Sequence, residues 1–376
     1  MRILMMMSSL AMGGGERTVL SLMPQFKALG HDITLLTLNK RRDSSLTEVL
    51  EASGVARIDL DAVRMLDQNA YQRFADLLRS GDFDIIHPQD QDTIIYGALA
   101  HRHLKMPAVM TRHVMDEPTS TLKETVRARL LLWVAKFGFD RVVTVSDAVS
   151  RHFHELTGIP MAKIKTVYNG LTLEDFDTQS QRASKRQELG WDAEQPIIVM
   201  VAVLRAGKGH EVLFDAIPKI KAAHPEARIK LVGGGELEHD LKAQAEPYMD
   251  MIDFMGQRSD VAEILGASDM LILPSWSEAL PTVLIEAGAA GLPVVATDVG
   301  GTREIVSDGE TGYVIPAGDA TQLADKICAL LDHPIEAQAM GAKAQAYIQQ
   351  TFTLERQAQT LIHLYEDVLA AYENRL

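Results

Sequence analysis

"PSWSEALPTVLIEAGAAGLPVVATDVGG", residues 274–301, carries a helical stretch between two strand ends. The apolar "DMLILPS" (269–275) leads into it, "PVVATD" (293–298) closes it, and the small-residue run between them opens at Pro281. Proline suits the first turn of a helix, where its missing N–H has no partner to lose. The segment therefore reads as strand, helix, parallel strand. Glu278 stands before the helix and Glu286 inside it. If the helix opens at Pro281, the amides of Thr282 and Val283 form its positive dipole end, a seat for an anion such as phosphate. Glu286 then lies about 7.5 Å further along the axis at 1.5 Å per residue, roughly the offset from a phosphate to a ribose. A carboxylate is acceptor-only and suits two neighbouring hydroxyls. The apolar surroundings of Glu286 in "VLIEAGAAG" imply burial, which is costly for a carboxylate without partners.

The same alternation extends outward. "PIIVMVAVL", a helix from about His210, "ARIKLVGGG" and "IDFMG" precede the segment. Earlier still come "RILMMMS", a helix from about Glu16 to Leu29, "DITLLTL", "FDIIHP", a helix from about Thr93, "PAVMTRH" and "RVVTVS". Apolar runs alternating with helices indicate parallel sheets covered on both faces. The expected fold is α/β, two Rossmann-like doubly wound domains facing across a cleft, with functional residues just after strands. The first domain is expected over residues 1–180, completed by a C-terminal helix of about 360–376, and the second over 181–359. The polar stretch "LTLEDFDTQSQRASKRQELGWDAEQ" (171–195) reads as the connection.

Other classes recede on composition. The 376 residues are 47% hydrophobic and 23% charged, the balance of a folded globular protein. Cys328 is the single cysteine and has no internal bridge partner. No uncharged apolar run approaches the roughly 20 residues of a membrane span, and the start "MRILMMMSSL" lacks the basic region and length of a signal peptide. A cytoplasmic location is expected. The net charge of −14 is uneven: residues 1–180 hold 21 Lys/Arg and 22 Asp/Glu, residues 181–376 hold 16 and 29. So acidic a second half repels polyanions, and nucleic acid is not an expected partner.

Gly13, Gly14 and Gly15 lead from the first strand into a helix, where side-chain-free backbone can approach a ligand. They do not complete a dinucleotide fingerprint, since Thr18 occupies the third glycine position and the second strand runs into Asn39 and Lys40 rather than an acid. Nor is "AGKGH" a P-loop, because His210 stands where Ser or Thr would hold magnesium.

With these pieces together the chain resembles the retaining glycosyltransferases of family 4, which have the GT-B fold. The resemblance rests on the joint order of "GGGERTVLSL", "VYNGLTLEDF", "LRAGKGHEVL", "LVGGGEL", "DFMGQRSDVAEILGASDMLILPS", the E-x7-E segment and "VVATDVGGTREIVSDGETGYVIP". It implies a nucleotide-diphosphate sugar, UDP-linked ahead of GDP-linked, bound by the second domain, and a glycan, lipid-linked or small-molecule acceptor bound by the first. It implies that Arg205 and Lys208 neutralise the diphosphate, that Glu286 binds the ribose, and that Glu278 faces the sugar. Leu280, Pro281 and Thr282 would lie beside the phosphates, Gly14 and Gly15 near the donor, and Gly235 and Arg258 around the base. His113 matches a histidine placed against the donor sugar, and His87 is a candidate acceptor contact. Catalytic roles fall to His113, Glu278, Arg205 and Lys208.

Departures from the family pattern bear on these roles. Val203 occupies the usual arginine position, so Arg205 must reach the phosphate from two residues later. Pro281 replaces a common glycine and removes one N–H. The "PQD" after His87 lacks a second histidine many relatives carry.

The resemblance implies front-face attack in which the departing phosphate accepts the acceptor's proton, and neither a cofactor nor a catalytic metal is expected. The "DLD", "DFD" and "DQD" triplets lie outside the context of a metal-binding D-x-D. Residues 121–141 mix Lys123, Arg127, Arg129, Lys136 and Arg141 with Leu130, Leu131, Leu132, Trp133 and Phe137. They suit either contact with an anionic membrane or packing on the domain's own sheet. The rival functions are a nucleotide-sugar 2-epimerase, converting donor without acceptor, and a silent donor-binding partner subunit.

Overall fold

A computed structural model describes residues 1–10, 14–39, 43–64, 67–115 and 121–374. Gly13, Lys40 and the residues that follow Met115 in the His113 loop lie outside the described set. The chain divides into two compact units, Met1–Gly170 with Leu354–Leu376, and Leu171–Thr353.

Among the described residues the first unit has seven parallel strands: β1 (Arg2–Met7), β2 (Asp32–Thr37), β3 (Ala56–Asp59), β4 (Ile85–Pro88), β5 (Val109–Arg112), β6 (Arg141–Thr144) and β7 (Ile164–Thr166). They run β3-β2-β1-β4 and β5-β6-β7, joined by a parallel bridge between Ile86 and Ala108. Successive side chains of a strand point to opposite faces, and β1 shows what that demands. Ile3, Met5 and Met7 feed one core with Met23, Phe26 and Tyr365, while Leu4 and Met6 feed another with Phe74, Tyr96 and Phe139. Its unbroken apolar run is needed because neither face meets water. The closing helix Leu354–Glu373 supplies Tyr365, whose ring stacks on Phe26 at 6.1 Å.

The second unit repeats the design with β8 (Ile197–Val201), β9 (Arg228–Val232), β10 (Ile252–Gly256), β11 (Met270–Leu273), β12 (Val294–Thr297) and β13 (Tyr313–Ile315), ordered β10-β9-β8-β11-β12-β13. In both sheets the order reverses beside the first strand, between β1 and β4 and between β8 and β11. Ligand crevices open at such switch points.

Three sequence expectations need correction. First, the unit boundaries fall at 170/171 and 353/354, not at 180/181 and 359/360. Second, residues 171–195 are no free connection. Arg186, 3% exposed, donates to the carbonyls of Ala267, Asp192, Ala193 and Gln195 and pairs with Asp269 at 2.7 Å. The polarity that suggests a linker serves buried carbonyls of the second unit. Third, β3, β7 and β13 went unread. Each ends a sheet and has only three or four residues.

The helix Leu122–Phe137 has one buried and one exposed face. Leu131 and Ala135 are buried, whereas Val126, Leu130, Trp133 and Phe137 are 50–60% exposed. At 100° per residue these four share one stripe opposite the buried face. No helix among the described residues is long and apolar enough to cross a membrane.

Candidate functional site

In the second unit, four loops meet at the carboxyl ends of β8, β9, β11 and β12. The loop after β8 turns at Gly209, with φ +75°, and a Cβ there would lie 1.9 Å from the Pro274 carbonyl oxygen. Gly300, with φ +52°, sits as tightly on Glu278, where a Cβ would lie 1.7 Å from the carbonyl oxygen. The Trp276 amide donates to the Gly207 carbonyl at 2.9 Å. Glycine is required at these two contacts because any side chain would push the loops apart.

This packing brings Lys208 to Glu278. Lys208 Nζ donates to Glu278 Oε1 at 2.7 Å, with the side chains 16% and 13% exposed. The two residues are 70 positions apart in sequence. Arg205 lies on the same loop and is exposed, its amide bonded to the Val203 carbonyl at 2.8 Å. Val203 is itself exposed.

The helix beyond Glu278 runs Thr282–Ala289, and Pro281 is its extended N-cap rather than its first residue. Leu284 N–H bonds the Pro281 carbonyl at 3.0 Å, so the amides of Thr282 and Val283 form the open dipole end. Leu280 and Pro281 are buried. Glu286 is half-buried, with Ile285 and Ala287 buried on either side.

Gly235 is exposed after β9 and packs against the Leu204 backbone. Arg258 grips Asp260 through two bonds of 2.8 and 2.7 Å. Lys185 joins at 2.6 Å, and Arg258 followed by Lys185 holds the Asp260 carboxyl far below its usual range. The Arg258 guanidinium is thus braced within its own loop.

Trp276 escaped the sequence reading although it lies in the decisive stretch. Its indole is 46% exposed and donates to Glu211 at 2.6 Å. An exposed tryptophan just after a strand end was the available signal.

In the first unit a cavity of about 290 Å³ lies at the carboxyl ends of β1, β4 and β5, lined among others by Met7, Glu16, Gln89, Asp90, Thr111 and His113. Gly14 and Gly15 open the helix Gly14–Ala28, which supplies Glu16. Asp90 caps the helix Gln91–Leu104, accepting from the amides of Asp92 and Thr93. His113 Nε2 lies 2.8 Å from Gln89 Oε1. Burial, with Arg112 adding repulsion, lowers the His113 pKa to about 4.

His87 is not available to an acceptor. It is wholly buried, with Nδ1 2.5 Å from the Tyr365 hydroxyl and Nε2 2.7 Å from Thr111 Oγ1. Burial lowers its pKa to about 3. It ties the closing helix to the sheet. Gln89 and Asp90, read only as part of a missing motif, line the cavity instead.

Comparison with known proteins places this geometry in context. The model "Glycosyltransferase Family 4" matches residues 12–175, and "Glycosyl transferases group 1" matches residues 181–347. A phosphatidyl-myo-inositol mannosyltransferase of Mycobacterium leprae is 29% identical over 348 residues, 88% of each chain. A D-inositol 3-phosphate glycosyltransferase of Kribbella flavida is 29% identical over 338 residues, 83% of this chain and 78% of that one. Among solved structures, Anabaena HepE in complex with UDP superposes with a TM-score of 0.85 at 22% identity, covering 98% of this chain and 100% of that chain. Sucrose-phosphate synthase of Thermosynechococcus elongatus gives 0.80 at 21% identity, covering 98% and 99%.

Proposed function

The chain belongs to glycosyltransferase family 4, with the two doubly wound units of the GT-B fold, and from that premise we propose a retaining transfer from a UDP-sugar to a hydroxyl-bearing acceptor. Group 1 glycosyl transfer from a nucleotide sugar is the family activity. The observation that carries the finer reading is the Lys208–Glu278 contact in front of the helix Thr282–Ala289. It sets a cation and a carboxylate side by side, as a diphosphate adjoining a hydroxyl-rich sugar requires.

In this reading the diphosphate lies against the amides of Thr282 and Val283, beside Leu280 and Pro281. Lys208 and Arg205 stabilise the charge that grows on the leaving group, a contribution of several kcal/mol in a preorganised site. The metal-free reading assigns leaving-group neutralisation to these two cations. Glu286 accepts from the ribose hydroxyls, and Glu278 turns from Lys208 toward the sugar. Gly235 and Arg258 border the base, with Arg258 supporting the loop through Asp260. The departing phosphate takes the acceptor's proton during front-face attack. His113 lines the first-unit cavity, which receives the hydroxyl-bearing acceptor, and Gly14 and Gly15 open the helix that supplies Glu16 to it.

The UDP assignment draws support from HepE, whose structures are complexes with UDP and with UDP-glucose. A GDP-sugar is the second reading, favoured by a Corynebacterium glutamicum relative named as GDP-mannose-dependent. A thermal-shift screen over UDP- and GDP-sugars separates them. The Glu286→Ala variant should then bind the best donor about tenfold or more weakly, and undiminished affinity would remove the ribose role. Turnover unchanged by EDTA supports the metal-free reading, and abolition overturns it. Donor consumption without any acceptor would instead support an epimerase.

The acceptor is proposed to be lipid-linked or a free glycan or small metabolite. The exposed stripe Val126, Leu130, Trp133 and Phe137, with Arg127 and Arg129 exposed beside it, supports a cytoplasmic enzyme resting on anionic lipid. Flotation with phosphatidylcholine vesicles, with and without phosphatidylglycerol, tests this. Equal recovery from both would end the anionic-lipid reading.

A further inference from the structure

Gln89 stands two residues after His87, just beyond the end of β4. It is 9% exposed, and its carboxamide is held at both ends. The Nε2 amide donates to Met5 Sδ, and the Oε1 oxygen lies 2.8 Å from His113 Nε2. Because the amide nitrogen is directed at the thioether, the carbonyl oxygen is the end presented to the imidazole. A carbonyl oxygen only accepts. With the amide in this orientation His113 Nε2 carries the proton, which leaves Nδ1 as the ring's acceptor.

We propose that Gln89 is a positioning residue that holds His113 as the Nε2–H tautomer, so that Nδ1 accepts a hydrogen bond from a substrate hydroxyl. The proposal rests on the reading of the first-unit cavity as the site of a hydroxyl-bearing substrate. Gln89 and His113 both line the first-unit cavity, so the tautomer sets the hydrogen-bonding character of that wall. Burial and Arg112 keep the ring uncharged near neutrality. His113 then acts neither as a cation nor as a proton donor, and the proton of the acceptor goes to the leaving phosphate.

The test is 15N NMR of histidine-labelled full-length chain, with His113 assigned by its loss in His113→Asn, together with pH profiles of kcat/KM for wild type, Gln89→Glu and Gln89→Leu. The wild type should show protonated Nε2 and unprotonated Nδ1 at neutral pH. A carboxylate at position 89 favours the imidazolium, so Gln89→Glu should raise the His113 pKa. It should also add a limb on which kcat/KM falls as pH drops, because a protonated Nδ1 no longer accepts. Gln89→Leu should mix the tautomers and lower kcat/KM about tenfold, the scale of one lost hydrogen bond. A protonated Nδ1 in the wild type overturns the proposal. So does a Gln89→Glu profile superimposable on the wild type when NMR shows the pKa raised. The tautomer is read without substrate, so its outcome stands apart from the donor-binding test of the transferase reading.

Discussion

The two units share one strand plan but solve the electrostatics of their carboxyl-end sites in opposite ways. In the second unit the cations are paired with carboxylates: Lys208 with Glu278 and Arg258 with Asp260. The first unit keeps its imidazoles uncharged by burial and by neutral hydrogen bonds, with His87 between Tyr365 and Thr111 and His113 on Gln89. A paired cation is ready for a multiply charged phosphate. A neutral ring with one acceptor nitrogen matches a hydroxyl. The fold supplies the position of each site, and the residues after the strands decide its charge.

The largest effect that would break this contrast is in the second unit. Lys208→Ala should lower kcat by about a hundred- to a thousandfold, as loss of a preorganised leaving-group donor does, with the far-UV spectrum unchanged. A loss of less than fivefold would show that Lys208 serves mainly as a brace for Glu278. In the first unit the corresponding test is one of stability. Tyr365→Phe leaves His87 Nδ1 buried without its partner, and should lower the unfolding free energy by about 1–3 kcal/mol in urea titration. An unchanged midpoint would deny the closing helix its polar anchor.

Acid should sharpen the difference further. In the first unit His87 and His113 have folded pKa values of about 3 and about 4, lowered chiefly by burial, against about 6.5 when unfolded. The unfolded chain therefore binds more protons between those values. Stability is full above pH 6.5 and falls as pH drops toward 4, by about 1.4 kcal/mol per unit for each such ring on the lower part of that range. Urea midpoints at pH 7 and pH 5 measure it, and a midpoint that rises on acidification contradicts the neutral-core account. The smallest effect is a gain. Glu278→Gln removes the carboxylate that occupies Lys208 and should tighten binding of UDP alone by about fivefold, since the uncompensated cation seeks a partner. Turnover of the UDP-sugar should fall in the same variant. Weaker UDP binding by calorimetry would mean that Glu278 orients Lys208 rather than competing for it.

Much of the fold was legible because its central strands are covered on both faces. "ILMMM" in β1 and "IIVMV" in β8 have no polar residue to interrupt them, and only a buried parallel strand tolerates that. The edge strands carry no such mark. "ARID", "IKT" and "YVI" are too short to show a period, so their pairing is set by the neighbouring strand rather than by their own pattern. The same physics hid the true extent of the second unit. Arg182 and Arg186 look like linker residues until the carbonyls they satisfy are in view.

For the site, the E-x7-E segment with its helix start was readable from local spacing alone, since both glutamates lie within one loop and helix. His87 was misjudged because a strand-end position does not disclose whether a ring faces a cavity or the core. The closing helix, 278 residues away, decides that by placing Tyr365 on Nδ1.

By itself the sequence determined the alternation of strands and helices, the two doubly wound units and the residue types available after each strand, because periodicity and residue chemistry are local properties. The tertiary structure alone decided which of those residues meet. Lys208 finds Glu278, Gln89 meets His113, and His87 is taken out of reach. Such pairings depend on loops brought together by side-chain-free contacts at Gly209 and Gly300 and on a helix returning from the far end of the chain, and no local pattern encodes distances of that kind.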